Sequence, residues 1–143
     1  MRAKYHGGGA ANTGKVAVIG AIARKGNVVC QVIENTSADT LSLFVEKTVN
    51  EKVSLVATDD YSGYRDLKHF YPHKTVDHKA HEYVRGTVHT NNIENFWSLL
   101  KRGIVGTYHN VSKDYLPLYL NEFSFRFNNR KNPDIFDDIL RGC

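Results

Sequence analysis

The stretch "KVAVIGAIARKGNVVCQVIE" (15–34) decides the fold class. Two runs of small and β-branched residues meet at Lys25-Gly26, and apolar runs joined by a short glycine-containing turn form a β-hairpin. The next segment, "TSADTLSLFVEKTVN" (36–50), changes period. Leu41, Phe44, Val45 and Val49 fall at helical spacing, Thr36 or Ser37 stands at the N-cap, and Asp39 lies in the first turn. "VSLVATDDYSGY" (53–64) returns to a short apolar strand. A helical or turn segment then runs to Tyr71, and "KTVDHK" (74–79) suits a further strand. One helix is predicted from Asn92 to about Leu100 and another over 113–130, with Pro117 in or near its first turn, where proline is tolerated. The order is hairpin, α, β, β, α, α, a mixed α/β domain without internal repeat.

Length and composition fit that reading. The 143 residues, 41% hydrophobic and 24% charged, suit one packed domain and argue against disorder or a coiled coil. Residues 1–14 are polar and glycine-rich and are read as a flexible lead-in, with the domain proper at 15–143. Their glycines lack the preceding strand and following Lys-Ser/Thr pair of a phosphate-cradling loop. No apolar run approaches the roughly 20 residues of a spanning helix, and no signal-peptide stretch opens the chain, so a cytoplasmic protein without a membrane partner is expected. Cys30 and Cys143 suggest neither a disulfide framework nor a thiolate metal site. A net charge of +4 and a pI near 9.1 favour a polyanionic partner.

Two carboxylates carry the chemistry. Asp59 ends the strand Val53–Ala57, and α/β folds bind ligands at the carboxyl ends of strands. The plainer role for Asp59 or Asp60 is to cap the turn "YSGY". Glu94 stands in the first turn of the helix that begins "NNIENFWSLLKR", where the helix dipole favours a carboxylate in any protein. Lys101 follows seven residues later, on the same face and about 10 Å along the axis. Ile93, Phe96, Trp97 and Leu100 occupy the other side and are the predicted core face. A solvated Glu-Lys face is the plainer reading of Glu94 and Lys101. Taken together, Asp59 and Glu94 offer the hard oxygen ligands that divalent cations ask for, and paired cations serve phosphodiester chemistry. His69 and His73 have a spacing zinc uses, but no cysteine and no HExxH motif accompanies them, so a basic or solvated surface is the preferred reading.

From Lys15 to about Arg130 the sequence resembles the catalytic domain of bacterial insertion-sequence transposases of the DDE superfamily. The resemblance rests on "HEYVRGTVHTNNIENFWSLLKRGIVGTYHNVS" (81–112), "YLNEFSFRFNNR" (119–130) and "TDDYSGYRDL" (58–67). It implies a ribonuclease H-like mixed sheet flanked by helices, DNA as partner, Mg²⁺ as cofactor with Mn²⁺ able to substitute, and a homo-oligomeric functional state. It makes Asp59 the second catalytic aspartate and metal ligand, and Glu94 the third acidic position, with 34 residues between them. Lys101 is then the basic residue that contacts the transposon end, with Arg102, Asn91 and Trp97 as further DNA-contact candidates. Asn91 is also a weaker candidate for the third acidic position.

One departure bears on activity. The family's first catalytic aspartate lies on the first, central strand of the sheet, whereas no acidic residue precedes Glu34 here and "MRAKYH" is short and polar for a strand. The expectation is a truncated transposase lacking that strand, with little or no activity. The rival readings are a non-catalytic DNA-binding remnant holding DNA through Lys101, Arg102, Lys113, Arg126, Arg130 and Lys131, and a ribonuclease H-like nuclease with another substrate.

Overall fold

The computed structural model describes residues 2–4, 16–24, 26–76, 91–109 and 111–141, with 2–4 and Asn91 described by their backbone. The hairpin forms as its sequence dictates. Strands β1 (Arg2–Lys4), β2 (Ala17–Ile22) and β3 (Val28–Ile33) make an antiparallel sheet in that order, with Gly20 opposite Cys30 and Ile22 opposite Val28. The turn closes through Gly26 N–H donating to the Ala23 carbonyl at 3.0 Å and Ala23 N–H to the Asn27 carbonyl at 3.1 Å. Helix α1 (Ala38–Thr48) follows, and between the two candidate caps the structure selects Ser37, whose Oγ accepts from Thr40 N–H at 3.4 Å. Thr36 turns instead to Tyr61, with the two hydroxyls 3.0 Å apart.

Strands β4 (Val56–Asp59) and β5 (His73–Val76) form a separate parallel pair among the described residues, bridged by a 3-10 helix at Ser62–His69. Helix α2 (Asn91–Arg102) runs directly into a π-helical turn, Gly103–Thr107. Helix α3 (Leu116–Asn128) begins with Pro117 in its first turn, and α4 (Ile135–Arg141) ends the described chain. Neither the π turn nor α4 is signalled by sequence period. None of the described helices is long and apolar enough to cross a membrane.

The period-2 alternation of strands sorts β2 and β3 onto two faces. Val18, Val28 and Cys30 join Ile93, Phe96, Trp97, Leu100, Leu116 and Leu120 under α2 and α3. Ile19 and Ile33 point the other way, into a cluster with Leu41, Phe44, Val45, Tyr64 and Leu67 under α1 and the 3-10 helix. Strand β2 is therefore covered on both faces, while Val29 and Gln31 of β3 stay exposed. This is why "KVAVIGAIAR" carries almost no polar residue along its length: a strand buried on both sides gains nothing from alternation with polar side chains.

The resulting mixed α/β architecture agrees with the fold class read from sequence. At residues 2–4 it differs from the lead-in reading. Arg2 pairs with Ile19, Ala3 with Val18 and Lys4 with Ala17, so a short polar segment occupies the edge of β2 away from β3. A ladder is made of backbone N–H and C=O groups, so a polar sequence does not prevent it where an edge stands open.

Gly20 sets how closely α2 approaches the sheet. A Cβ added there would lie 2.7 Å from Trp97 Cζ2 and 2.9 Å from Cη2, so the indole rests on bare backbone. Gly20→Ala is expected to lower unfolding free energy by about 1–3 kcal/mol through overpacking, measured by urea denaturation. Gly106→Ala, where no atom lies within 4 Å of the added carbon, should change stability by less than about 0.5 kcal/mol.

Candidate active site

Strand β4 carries the first site residue. Thr58 is buried at 4% exposure, Asp59 is half-buried and Asp60 is exposed, as the strand turns out of the sheet. The parallel partner fixes this end, with Thr58 opposite Thr75 and Asp59 opposite Val76. Thr58 Oγ1 donates to the Asp59 carbonyl at 2.9 Å and lies 2.9 Å from His73 Nε2. With the hydroxyl proton used on the carbonyl, the ring nitrogen acts as donor. That assigns the Nε2–H tautomer to His73. Burial pushes the His73 pKa below the ordinary imidazole value. The sequence gives no sign of this pair, since it depends on strands 15 residues apart lying side by side.

Asp59 Oδ1 is shut off from solvent and has no hydrogen-bond partner among the described residues. A buried carboxylate oxygen without a donor costs about 1–3 kcal/mol or more. The capping role does not account for it: the 3-10 helix is entered through Tyr61 and has no side-chain cap. The oxygen faces inward at a strand end with a full lone-pair capacity unspent, the donor chemistry that a hard cation requires.

Helix α2 carries the second group. Ile93, Phe96, Trp97 and Leu100 are buried as one stripe, and the Phe96 ring packs at a tilt against Trp97 at 5.3 Å and edge-to-face with Phe127 at 5.4 Å between ring centroids. The stripe turns Glu94, which is half-buried, and Lys101, which is exposed, to one flank two turns apart. Arg102 is exposed at the helix end. Asn91 opens the helix, and its side chain lies outside the described residues. Of its two sequence readings, core face and DNA contact, Trp97 takes the first, which its helical spacing predicts, and the DNA-contact reading is corrected. At 6% exposure, with its ring on Gly20, it has no surface to offer DNA and instead seats the helix. The π turn after Arg102 has no counterpart among the predicted elements. Gly103 admits the Phe123 ring where any Cβ would collide, and buried Ile104 continues the core stripe beyond the α-helical part.

Asp59 and Glu94 are thus held by different layers, one by the β4–β5 pair and the other by a helix packed on β2. Among the described residues no three His, Cys, Asp or Glu side chains gather closely enough to enclose a metal ion. His69 is exposed in the 3-10 helix and His73 sits in β5, so they share no helix. His78, His81 and His89 lie outside the described residues.

Comparison with known proteins bears on this arrangement. The ISXO2-like transposase domain matches residues 1–128, nine-tenths of the chain and both carboxylate-bearing elements. The chain belongs to the ISXO2-like transposase family. An uncharacterized transposase-like protein of Haemophilus influenzae is 31% identical over 116 residues, which cover 78% of this chain and 91% of that protein. No solved structure matches. The family match includes Arg2–Lys4, in keeping with their place in the sheet of this transposase domain.

The depressed His73 pKa fixes a pH dependence. The unfolded chain takes up the proton first, so the neutral folded form is favoured above the ordinary value near 6.5. That advantage is lost as pH falls from 6.5 toward the lower folded value. Comparing wild type with His73→Gln in urea titrations at pH 8 and pH 5 should therefore show a smaller loss of stability on acidification in the variant. Direct titration of the His73 ring by NMR should give a midpoint below that of an unstructured histidine.

Proposed function

We propose that this chain is a transposase catalytic domain for metal-dependent cleavage and joining of DNA phosphodiesters, with Asp59 and Glu94 as cation ligands. The observation that carries the reading is the buried, unpartnered Asp59 Oδ1 at the carboxyl end of β4. It is supported by Glu94 at the start of the helix that bears two exposed cations, and by membership of a transposase family. A ribonuclease H-like relationship of the two sheets, as the resemblance implies, would bring the end of β4 and the first turn of α2 to one edge.

The chain's own groups have distinct tasks. Asp59 and Glu94 hold divalent cation, Mg²⁺ with Mn²⁺ as substitute, which when bound supplies Lewis-acid stabilisation of the phosphodiester. Thr58 and His73 hold the β4 end in place, and Lys101 and Arg102 bind DNA phosphates on the Glu94 flank of α2. The two carboxylates assigned to cation binding are Asp59 and Glu94, 34 residues lying between them. The partner is DNA, at transposon ends and target. The place of action is the cytoplasm, and assembly into a homo-oligomer is part of the functional state.

Thermal unfolding in EDTA and in Mn²⁺ tests the Asp59 assignment. Wild type should gain stability from Mn²⁺. Asp59→Asn should equal or exceed wild type in EDTA, by up to about 1 kcal/mol, because a neutral amide is cheaper to bury than an unpaired charge, and should lose most of the Mn²⁺ effect. A variant destabilised in EDTA and unchanged in its Mn²⁺ response would show Asp59 to be structural. Glu94→Gln should abolish any Mg²⁺-dependent cleavage of transposon-end DNA and leave DNA binding in place.

A further inference from the structure

Helix α2 has a second flank, and it faces a cleft. At about 100° per residue, the buried stripe separates Glu94 and Lys101 on one side from Asn92 and Asn95 on the other. Beside Asn92 and Asn95 lies a cavity of about 280 Å³ whose wall includes Ile22, Phe127, Arg130 and Lys131. It opens where the hairpin turn, the first turns of α2 and the end of α3 converge.

The cleft is held in shape by specific contacts. Asn128 Oδ1 accepts from Val28 N–H at 2.7 Å, and its Nδ2 donates to the Val28 carbonyl at 2.9 Å, so one amide clamps the end of α3 to the first residue of β3. Immediately beyond this clamp the chain presents Arg130 and Lys131. Arg130 lies over the Phe127 ring, 4.2 Å from its centroid, and donates to the Phe127 carbonyl at 2.6 Å. The guanidinium is thereby fixed in orientation, with further N–H donors remaining at the rim. Among the described residues neither Arg130 nor Lys131 meets a carboxylate, in contrast to Arg126, which pairs with Glu122 at 2.6 Å.

We infer that this cleft is a second DNA-backbone site, on the flank of α2 opposite Glu94 and Lys101, so that the helix lies between two DNA contacts. Among the described residues the lining has no acidic side chain. It combines two cations, two side-chain amides and an apolar floor of Ile22 and Phe127. That set matches phosphate oxygens for the cations and amides and a sugar face for the floor, the mixture on which sequence-independent backbone binding depends. The volume lies just under the roughly 300–1,000 Å³ of small-molecule pockets and suits a single sugar-phosphate unit of a continuing strand. The choice of DNA as occupant rests on the transposase reading above; the cleft itself does not depend on the carboxylates.

The test uses the full chain, a duplex of arbitrary sequence and EDTA, so neither cation nor cleavage enters. Binding is followed by fluorescence anisotropy over a salt series. Arg130→Gln with Lys131→Gln should weaken binding and flatten the slope of log affinity against log salt by about 1–2, near 0.9 for each phosphate no longer neutralised. Asn92→Asp with Asn95→Asp leaves the Arg130–Phe127 stack intact and should weaken binding at low salt by charge repulsion, so a folding defect in the first variant does not decide the matter. Wild-type affinity and slope in both double variants, with weakening confined to Lys101→Gln/Arg102→Gln, overturn the second site and leave the proposed function standing. Weakened binding in the cleft variants together with a wild type that binds DNA but gains no thermal stability from Mn²⁺ overturns the catalytic reading alone. No duplex binding by wild type overturns both.

Discussion

The Trp97 indole lying on the bare backbone of Gly20 is the contact on which the other packing relationships turn. It brings α2 close to β2, and close approach lets one stripe of four large side chains bury fully against the sheet. Burial of that stripe fixes the rotation of the helix. Rotation then decides which residues stand on each flank, Glu94 and Lys101 to one side and Asn92 and Asn95 to the other. A helix held further out by a single methyl group at position 20 would be free to turn. The Phe96 contacts with Trp97 and Phe127 carry the same constraint to α3, and the Asn128 clamp returns it to β3. The helices and the hairpin form a closed loop of contacts.

The second layer is held differently. The β4–β5 pair has its own ladder, and the segment joining its strands packs into the cluster under α1 through Tyr64, Leu67 and Tyr71. Polar contacts there are few and specific: Thr58 with His73, Tyr61 with Thr36, and Tyr71 Oη donating to the Val49 carbonyl at 3.4 Å. Three buried polar atoms lack a partner among the described residues, Asp59 Oδ1, Tyr64 Oη and Trp97 Nε1, and of these only the Asp59 oxygen belongs to a carboxylate, the group a hard cation takes as ligand. Proteins tolerate such groups mainly where a ligand completes them or where chemistry requires them. An exposed Asp60 next to it shows that the strand end has room to turn a carboxylate to water.

Much of this is legible in the sequence because it rests on period. The hairpin, α1, β4, β5, α2 and α3 each announce themselves by alternation, helical spacing, capping residues or proline placement, and their observed bounds differ from the predicted ones by only a few residues. The family resemblance is legible too, because it rests on many residues in register. The remainder depends on non-local neighbours. Helical spacing puts Trp97 on the core face, but nothing in "NFWSLL" says that a glycine 77 positions earlier leaves room for the ring. The π turn brings Gly103 against the Phe123 ring, a contact between two helical segments far apart in sequence. Strand β1 is hidden because a backbone ladder needs no apolar signature, and the Asn92–Lys131 cleft because its walls come from three separate segments.

The catalytic reading requires that the end of β4 and the start of α2 serve one divalent cation. Paramagnetic broadening of backbone amide signals by substoichiometric Mn²⁺ is the direct measurement, because the effect falls off steeply with distance from the ion. Broadening is expected to centre on the amides around both Asp59 and Glu94, and Asp59→Asn or Glu94→Gln is expected to diminish it at both places. Broadening confined to one of them, or scattered over surface carboxylates and insensitive to either substitution, would refute a shared cation site.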